Sequence, residues 1–239
     1  MDTMNLDQHI SRQFNADLEQ LRTALLKMGG LVEGQLTDAV QALQDADAAI
    51  ADKVLQAEKE VNRLEVSIDA ECTDLLARRQ PAASDLRLVL IVTKAIRDLE
   101  RVGDEAVKIA RMAQELSDTD FVPQGFIEIR HLSTNVQKML NAALDAFAHF
   151  DVRAAIKVMR DDGHIDREYK SAMREMVTQM MEDPRSISRV LNIMWALRSL
   201  ERIGDHSRNI AEHVIYLVRG TDVRHVSFKD IEKQLGEST

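Results

Sequence analysis

Cysteine, proline, glycine and aromatic residues are all scarce in this chain, and each scarcity removes a class of architecture. Cys72 is the single cysteine, so no intramolecular disulfide can form and a disulfide-stapled scaffold is excluded. It shares an apolar helix stripe with Ile68 and Leu75, the setting of a small buried hydrophobe. Three prolines, nine glycines and 4% aromatic residues argue against a sheet protein, because strands draw on β-branched and aromatic side chains and their turns on Gly and Pro. Long hydrophobic runs are missing too. Even uninterrupted ones such as Leu88 to Val92 fall far short of a bilayer span. Met1 to Ile10 has no basic segment followed by an apolar one, so no secretory signal is expected. Positive charge is short as well: 31 Lys and Arg against 40 Asp and Glu give a net charge of −9. No Lys/Arg-rich run is available to track a phosphate backbone. Direct nucleic-acid binding is therefore not expected, and a cytoplasmic protein is.

What is present is helix-forming and repeated. Ala, Leu, Met, Glu, Gln, Lys and Arg dominate, and Leu99-Glu100-Arg101-Val102-Gly103-Asp104 returns as Leu200-Glu201-Arg202-Ile203-Gly204-Asp205. Adding 104 carries Leu36, Ala39, Val40, Leu43 and Asp47 onto Leu140, Ala143, Leu144, Phe147 and Asp151. Glu58 and Asn62 fall on Asp162 and Asp166 in the same way. The offset shrinks to 103 at Pro81 and Pro184 and to 101 at Gly103 and Gly204, so the second copy is shorter around its Pro turn. A duplicated unit is the economical explanation.

Apolar periodicity and sparse breakers predict six long helices. In the first unit they run from about Asn5 to Gln44, with Gly29-Gly30 as a kink or local break, then to about Arg79 behind a cap at Asp45 or Asp47, then from a cap at Ser84 to about Leu116. In the second they run from about Gly125 to His149, from Asp151 to Glu182, and from Pro184 to Arg219, with Gly220 as the stop. Short connections make neighbours antiparallel. The expected fold is all-α, two tandem pseudo-symmetric three-helix bundles in an elongated molecule: residues 1–117, a linker at 118–124, residues 125–220, and a polar tail at 221–239 short of fixed structure apart from a turn through Ile231 to Leu235.

The repeated hexapeptide sets two carboxylates four residues apart, on one helix face. Glu100/Asp104 and Glu201/Asp205 edge the apolar stripes of their helices. Glu65/Asp69 and Asp162/Asp166 repeat the spacing on the preceding helix of each unit. Like charges so placed repel by a few tenths of a kcal/mol and call for compensation. One form is a hard cation held by carboxylate oxygens from two helices. The other is ion pairing, Asp104 with Lys108 or Arg101, Glu201 with Arg198, Asp205 with Arg202 or Arg208. Spacing alone leaves both open. Gly103 and Gly204, mid-helix, cost about 1 kcal/mol each relative to Ala, which points to close helix approach beside the acids.

Catalytic constellations are missing. A di-metal oxidase bundle needs Glu-x-x-His on two helices, and the one instance, Glu128 to His131, has Ala24 and Lys27 in the other unit. Phosphate-binding, hydrolase and zinc-protease motifs do not occur. No enzyme is expected. His164 and His206 lie beside the acids in sequence, where exposed helix positions are the default.

The duplicated Leu-Glu-Arg-Val/Ile-Gly-Asp segment, the stretch from Arg78 to Arg87 and the two-unit layout resemble the PhoU family of phosphate-transport accessory proteins, over nearly the whole chain. That resemblance implies a homodimer of paired three-helix bundles with multinuclear metal sites at Glu/Asp-x-x-x-Asp motifs. Mapped by motif, the ligands here are Glu65, Asp69, Glu100 and Asp104 in the first bundle and Asp162, Asp166, Glu201 and Asp205 in the second. Tyr169 replaces Glu65 in the second copy, so the two sites cannot be equivalent. Family members differ in the ion they carry, with magnesium, manganese, iron and zinc all in question. The implied function is negative regulation of the phosphate-starvation (Pho) response, as an adaptor between the ATPase subunit of the phosphate ABC transporter and a sensor histidine kinase, with membrane association only through those partners. A metal-storing helical protein is the alternative.

Overall fold

The computed structural model describes residues 12–81, 83–117, 127–224, 226 and 230–231. Six long helices account for nearly all of them: α1 (Arg12–Asp45), α2 (Ala48–Arg79), α3 (Ala83–Ser117), α4 (Ile127–His149), α5 (Val152–Glu182) and α6 (Ile187–Arg219), with a single 3-10 turn at Pro184–Ser186 before α6. The longest, α3, has 35 residues and extends about 50 Å at 1.5 Å per residue. The predicted all-α architecture is present, and no strand occurs among the described residues.

Each helix hides one stripe. On α1, Leu18, Leu21, Leu25, Met28, Val32, Leu36, Ala39 and Leu43 are all fully buried, spaced by three or four residues as a single face requires. Helices α1, α2 and α3 pack on one another, as do α4, α5 and α6. The two bundles meet chiefly through α3 and α6, which pack on each other as extensively as on their own bundle partners, and through α1 against α4.

The turns repeat with the sequence. Asp47 caps α2, its Oδ1 accepting from the Ala49 and Ile50 amides at 2.8 and 3.1 Å. Asp151 caps α5 in the same manner, with Arg153 and Ala154 at 2.9 and 3.1 Å. Just before each cap, Ala46 and Phe150 adopt positive φ of 51° and 52°, a left-handed step that carries a steric cost in a non-glycine residue and reverses the chain. The second pair of turns differs: α2 ends on left-handed Gln80, whereas α5 ends on extended Asp183. That difference coincides with the shortened offset at the Pro turn. Gly220 ends α6 in the left-handed conformation, its N–H bonded to Tyr216 O, as predicted.

Three local expectations are corrected. α1 runs through Gly29-Gly30 without interruption, because the long apolar stripe on both sides holds the helix together. Gly29 instead admits α4: a Cβ there would lie 2.7 Å from Leu144 Cδ2. Ser84 is inside α3, not its cap. The tail has more fixed structure than expected where described, since Val223 as well as Ile231 is fully buried against the helices. The expected start of α1 near Asn5, the linker at 118–124 and the start of α4 at Gly125 lie outside the described residues.

Candidate carboxylate metal centres

The second bundle brings all four of its predicted acids together. Asp162 and Asp166 on α5 face Glu201 and Asp205 on α6. Asp162 is buried, Asp166 and Glu201 are half-buried, and Asp205 is at the exposed rim. Burial and then the neighbouring carboxylates push the pKa of Asp162, Glu201 and Asp205 above the usual range. Asp166 is among the repelling neighbours in all three cases. Two arginines offset part of this charge. Arg198 Nη1 lies 2.8 Å from both oxygens of Glu201, with its guanidinium 6.0 Å from the Tyr169 ring. Arg208 reaches Asp162 at 3.2 Å and Glu212 at 3.0 Å. Among the described residues no basic side chain is within ion-pairing distance of Asp205.

In the first bundle the gathering is different. Glu100 and Asp104 on α3 face Glu58 on α2, with Glu65 one step further along. Glu58 and Glu100 both have raised pKa values, first from burial and then from the charge of Asp104. Asp69 is not among the carboxylates that act most strongly on Glu58 or Glu100. Its charge acts on Cys72 one turn away, a buried thiol that desolvation has pushed up to about 11, as befits a packing residue. Glu58 was visible in the sequence as the counterpart of Asp162 at the 104-residue offset, but four-residue spacing favoured Glu65/Asp69. The offset was the better guide to which acids face Asp104.

The ion-pair alternative holds only in part. Arg101 touches Glu100 and Asp104, each at 3.4 Å, from a largely exposed position where such pairs contribute little. Lys108 and Arg202 do not serve the acid pairs at all. Both go to buried Glu105, at 2.8 and 2.9 Å. His206 also turns away, to Asp98 at 2.9 Å, and exposed His164 contacts Arg167.

The residues present fit a hard cation. Carboxylate oxygens are the donors such ions take, and here they crowd against like charge that the arginines only partly offset. Among the described residues no three His, Cys, Asp or Glu side chains stand together so as to hold a metal ion. The first bundle adds a buried acceptor without a hydrogen-bond donor, Gln35 Oε1, beside Glu58, whose carboxylate has Gln35 and Asn62 as polar partners. Gln35 and Glu58 adjoin Gly103, where a Cβ would lie 3.1 Å from Gln35 Oε1 and 3.1 Å from Glu58 Oε2. Gly204 plays a simpler part, its open side filled by Ile165 at 3.3 Å. When bound, a divalent ion would neutralise the carboxylates and tie the facing helices of a bundle together. Gln35 had no sequence signal beyond its helix position, because only the three-dimensional contact of α1 with α2 reveals it.

Tandem three-helix bundles with acidic pairs repeated on their second and third helices define a duplicated all-α fold. The chain belongs to the PhoU family: the PhoU domain matches it twice, over residues 25–113 and 129–214. It is 58% identical over 237 residues to the phosphate-specific transport system accessory protein PhoU homolog of Pseudomonas aeruginosa, spanning 98% of each chain. It is 45% identical over 235 residues to the PhoU accessory protein of Escherichia coli, spanning 98% of this chain and 97% of that one. Two crystal structures are similar. PhoU from Pseudomonas aeruginosa superposes with a TM-score of 0.85 at 61% identity, over 87% of this chain and all of that one. The phosphate transport system regulatory protein PhoU from Streptococcus pneumoniae does so with a TM-score of 0.81 at 29% identity, over 88% and 99%.

Proposed function

We propose that this chain is a cytoplasmic negative regulator of the phosphate-starvation (Pho) response, an adaptor linking the ATPase subunit of a phosphate ABC transporter to a sensor histidine kinase. The observation that carries this reading is full-length similarity to relatives named as accessory proteins of the phosphate-specific transport system. Long helices with charged outer faces suit protein contacts, no catalytic motif competes, and no helix among the described residues is long and apolar enough to cross a membrane. In this reading the chain acts as a homodimer and meets the membrane only through its partners. Restoring the gene to cells that lack it should silence a phosphate-starvation reporter in phosphate-rich medium. A reporter unaffected by restoration would reject the regulatory role.

The carboxylate clusters hold divalent or trivalent cations, among which magnesium, manganese, iron and zinc are the candidates. Crowded acids with raised pKa values support this. A ligand that binds only the folded state stabilises it by about 2.7 kcal/mol at one hundred times its dissociation constant. Manganese added to the chelator-treated protein should therefore raise the unfolding midpoint, and Glu100→Gln/Asp104→Asn/Glu201→Gln/Asp205→Asn should abolish the rise. An unchanged midpoint in the parent protein would count against metal binding. Retained repression by the fourfold variant would instead separate metal from signalling.

A further inference from the structure

We propose that Gln35 Oε1 is a neutral oxygen ligand of the first-bundle cation site, which then spans α1, α2 and α3. This rests on the metal reading above and adds a donor that the acidic motifs do not contain. Gln35 is 2% exposed, and a buried amide normally satisfies both its ends. Its nitrogen does so, donating to Glu58 Oε2 at 2.8 Å and to Val54 O at 3.2 Å. Its oxygen has no donor. Turning the amide over would set the carbonyl against a carboxylate and a backbone carbonyl, so the orientation follows from the contacts.

The Gln35 oxygen, which has no donor, thus packs together with Glu58 Oε2 against Gly103, in the middle of the Glu100/Asp104 motif. A buried carbonyl oxygen of this kind is satisfied by a hydrogen-bond donor or by a cation. Hard divalent cations accept amide carbonyl oxygens beside carboxylates as readily as they accept water. The repeat sharpens the case. At the 104-residue offset Gln35 corresponds to Met139, whose buried thioether is too soft for such an ion. In that bundle Arg208 already engages Asp162. The two sites therefore differ in donor set and in resident positive charge.

The test uses the full-length protein carrying Glu201→Gln and Asp205→Asn, which isolates the first-bundle site. Manganese affinity is measured by electron paramagnetic resonance and coordinated water by europium luminescence lifetimes in light and heavy water. Gln35→Met installs the residue that the second copy carries at this place. It should weaken manganese binding by about tenfold or more, the scale on which shell residues act, and add about one coordinated water in place of the lost oxygen. Weaker binding with an unchanged water count would overturn the proposal, leaving Gln35 to position Glu58 only. Unchanged affinity would overturn it outright. Gln35→Glu, which keeps the oxygen and adds charge, should tighten manganese binding and serves if the Met variant does not fold. Absence of manganese binding in the wild type would instead remove the metal reading, and this inference with it.

Discussion

Carboxylates separated by half a turn of α3 carry opposite electrostatic signs. Glu100 faces other acids and burial, so its charged form is disfavoured in the fold. Asp98, two residues earlier, faces α6. Burial alone would raise it, but His206 and His213 at 2.9 Å and Asn209 at 3.0 Å outweigh that and hold it at about 2. The linkage follows from these directions. A group with a raised folded pKa costs stability as pH rises through the carboxylate range. Asp98, whose folded value is depressed, contributes stability that is fully present above its unfolded value near ~3.9 and is lost as pH falls toward about 2. Asp98→Asn should therefore destabilise the protein by about 2 kcal/mol at neutral pH and flatten the loss of stability between about pH 4 and 2. Urea unfolding across that window checks both. An acid limb as steep as that of the wild type would show that Asp98 does not carry it.

Glycines show how one residue type acts differently along a helix. Gly30 on α1 has nothing within 4 Å of the place a Cβ would occupy, so alanine there brings its helix propensity without a clash. Gly30→Ala should stabilise by about 0.5–1 kcal/mol. Gly103→Ala gains the same propensity but places its methyl 3.1 Å from Gln35 Oε1 and Glu58 Oε2 and 3.4 Å from Val61 Cγ1. Overpacking of that kind costs about 1–3 kcal/mol, more than the gain. Gly103→Ala should therefore destabilise, and denaturant midpoints for the two variants should move in opposite directions. Parallel shifts would refute the packing account of Gly103.

The same contrast marks what the sequence could reveal. Six helices, a cap for α2 at Asp45 or Asp47 and the stop at Gly220 were legible, because each depends on local periodicity or on a side chain bonding its own neighbouring backbone. The continuity of α1 through Gly29-Gly30 was not, since tertiary packing overrode a local weakness that could have broken the helix. The duplicated acids were legible as pairs on a helix face. Which of them face one another was only half legible, because the four-residue spacing places Glu65 and Asp69 equally well, while the position of α3 over α2 selects Glu58. Gln35 required the packing of a third helix, and the departure of Lys108, Arg202 and His206 to the inter-bundle contact required the second bundle itself.

That contact governs the molecule as a whole. Antiparallel α3 and α6 join the bundles through an apolar face with charged and polar groups sealed into it. Glu105 is 2% exposed and is held by Arg202 across the contact and by Lys108 on its own helix. Arg87 Nε donates to Leu217 O at 3.3 Å nearby. A bundle that separated from its partner would expose α3 along its length and strip Asp98 of all three donors at once. Partial unfolding of one half is thus disfavoured, and the chain should unfold in a single calorimetric transition with van't Hoff and calorimetric enthalpies in agreement. Arg202→Met removes one of the two cations on a buried carboxylate, at a cost of about 1–3 kcal/mol, and should lower the midpoint by several degrees while leaving one transition. Two transitions in the wild type, or a calorimetric enthalpy well above the van't Hoff value, would mean that the bundles melt independently. In that case a cation bound in one bundle would have no mechanical route to the other. A single transition instead makes α3 and α6, each carrying an acidic pair beside the shared contact, the path by which occupancy in one half stabilises both.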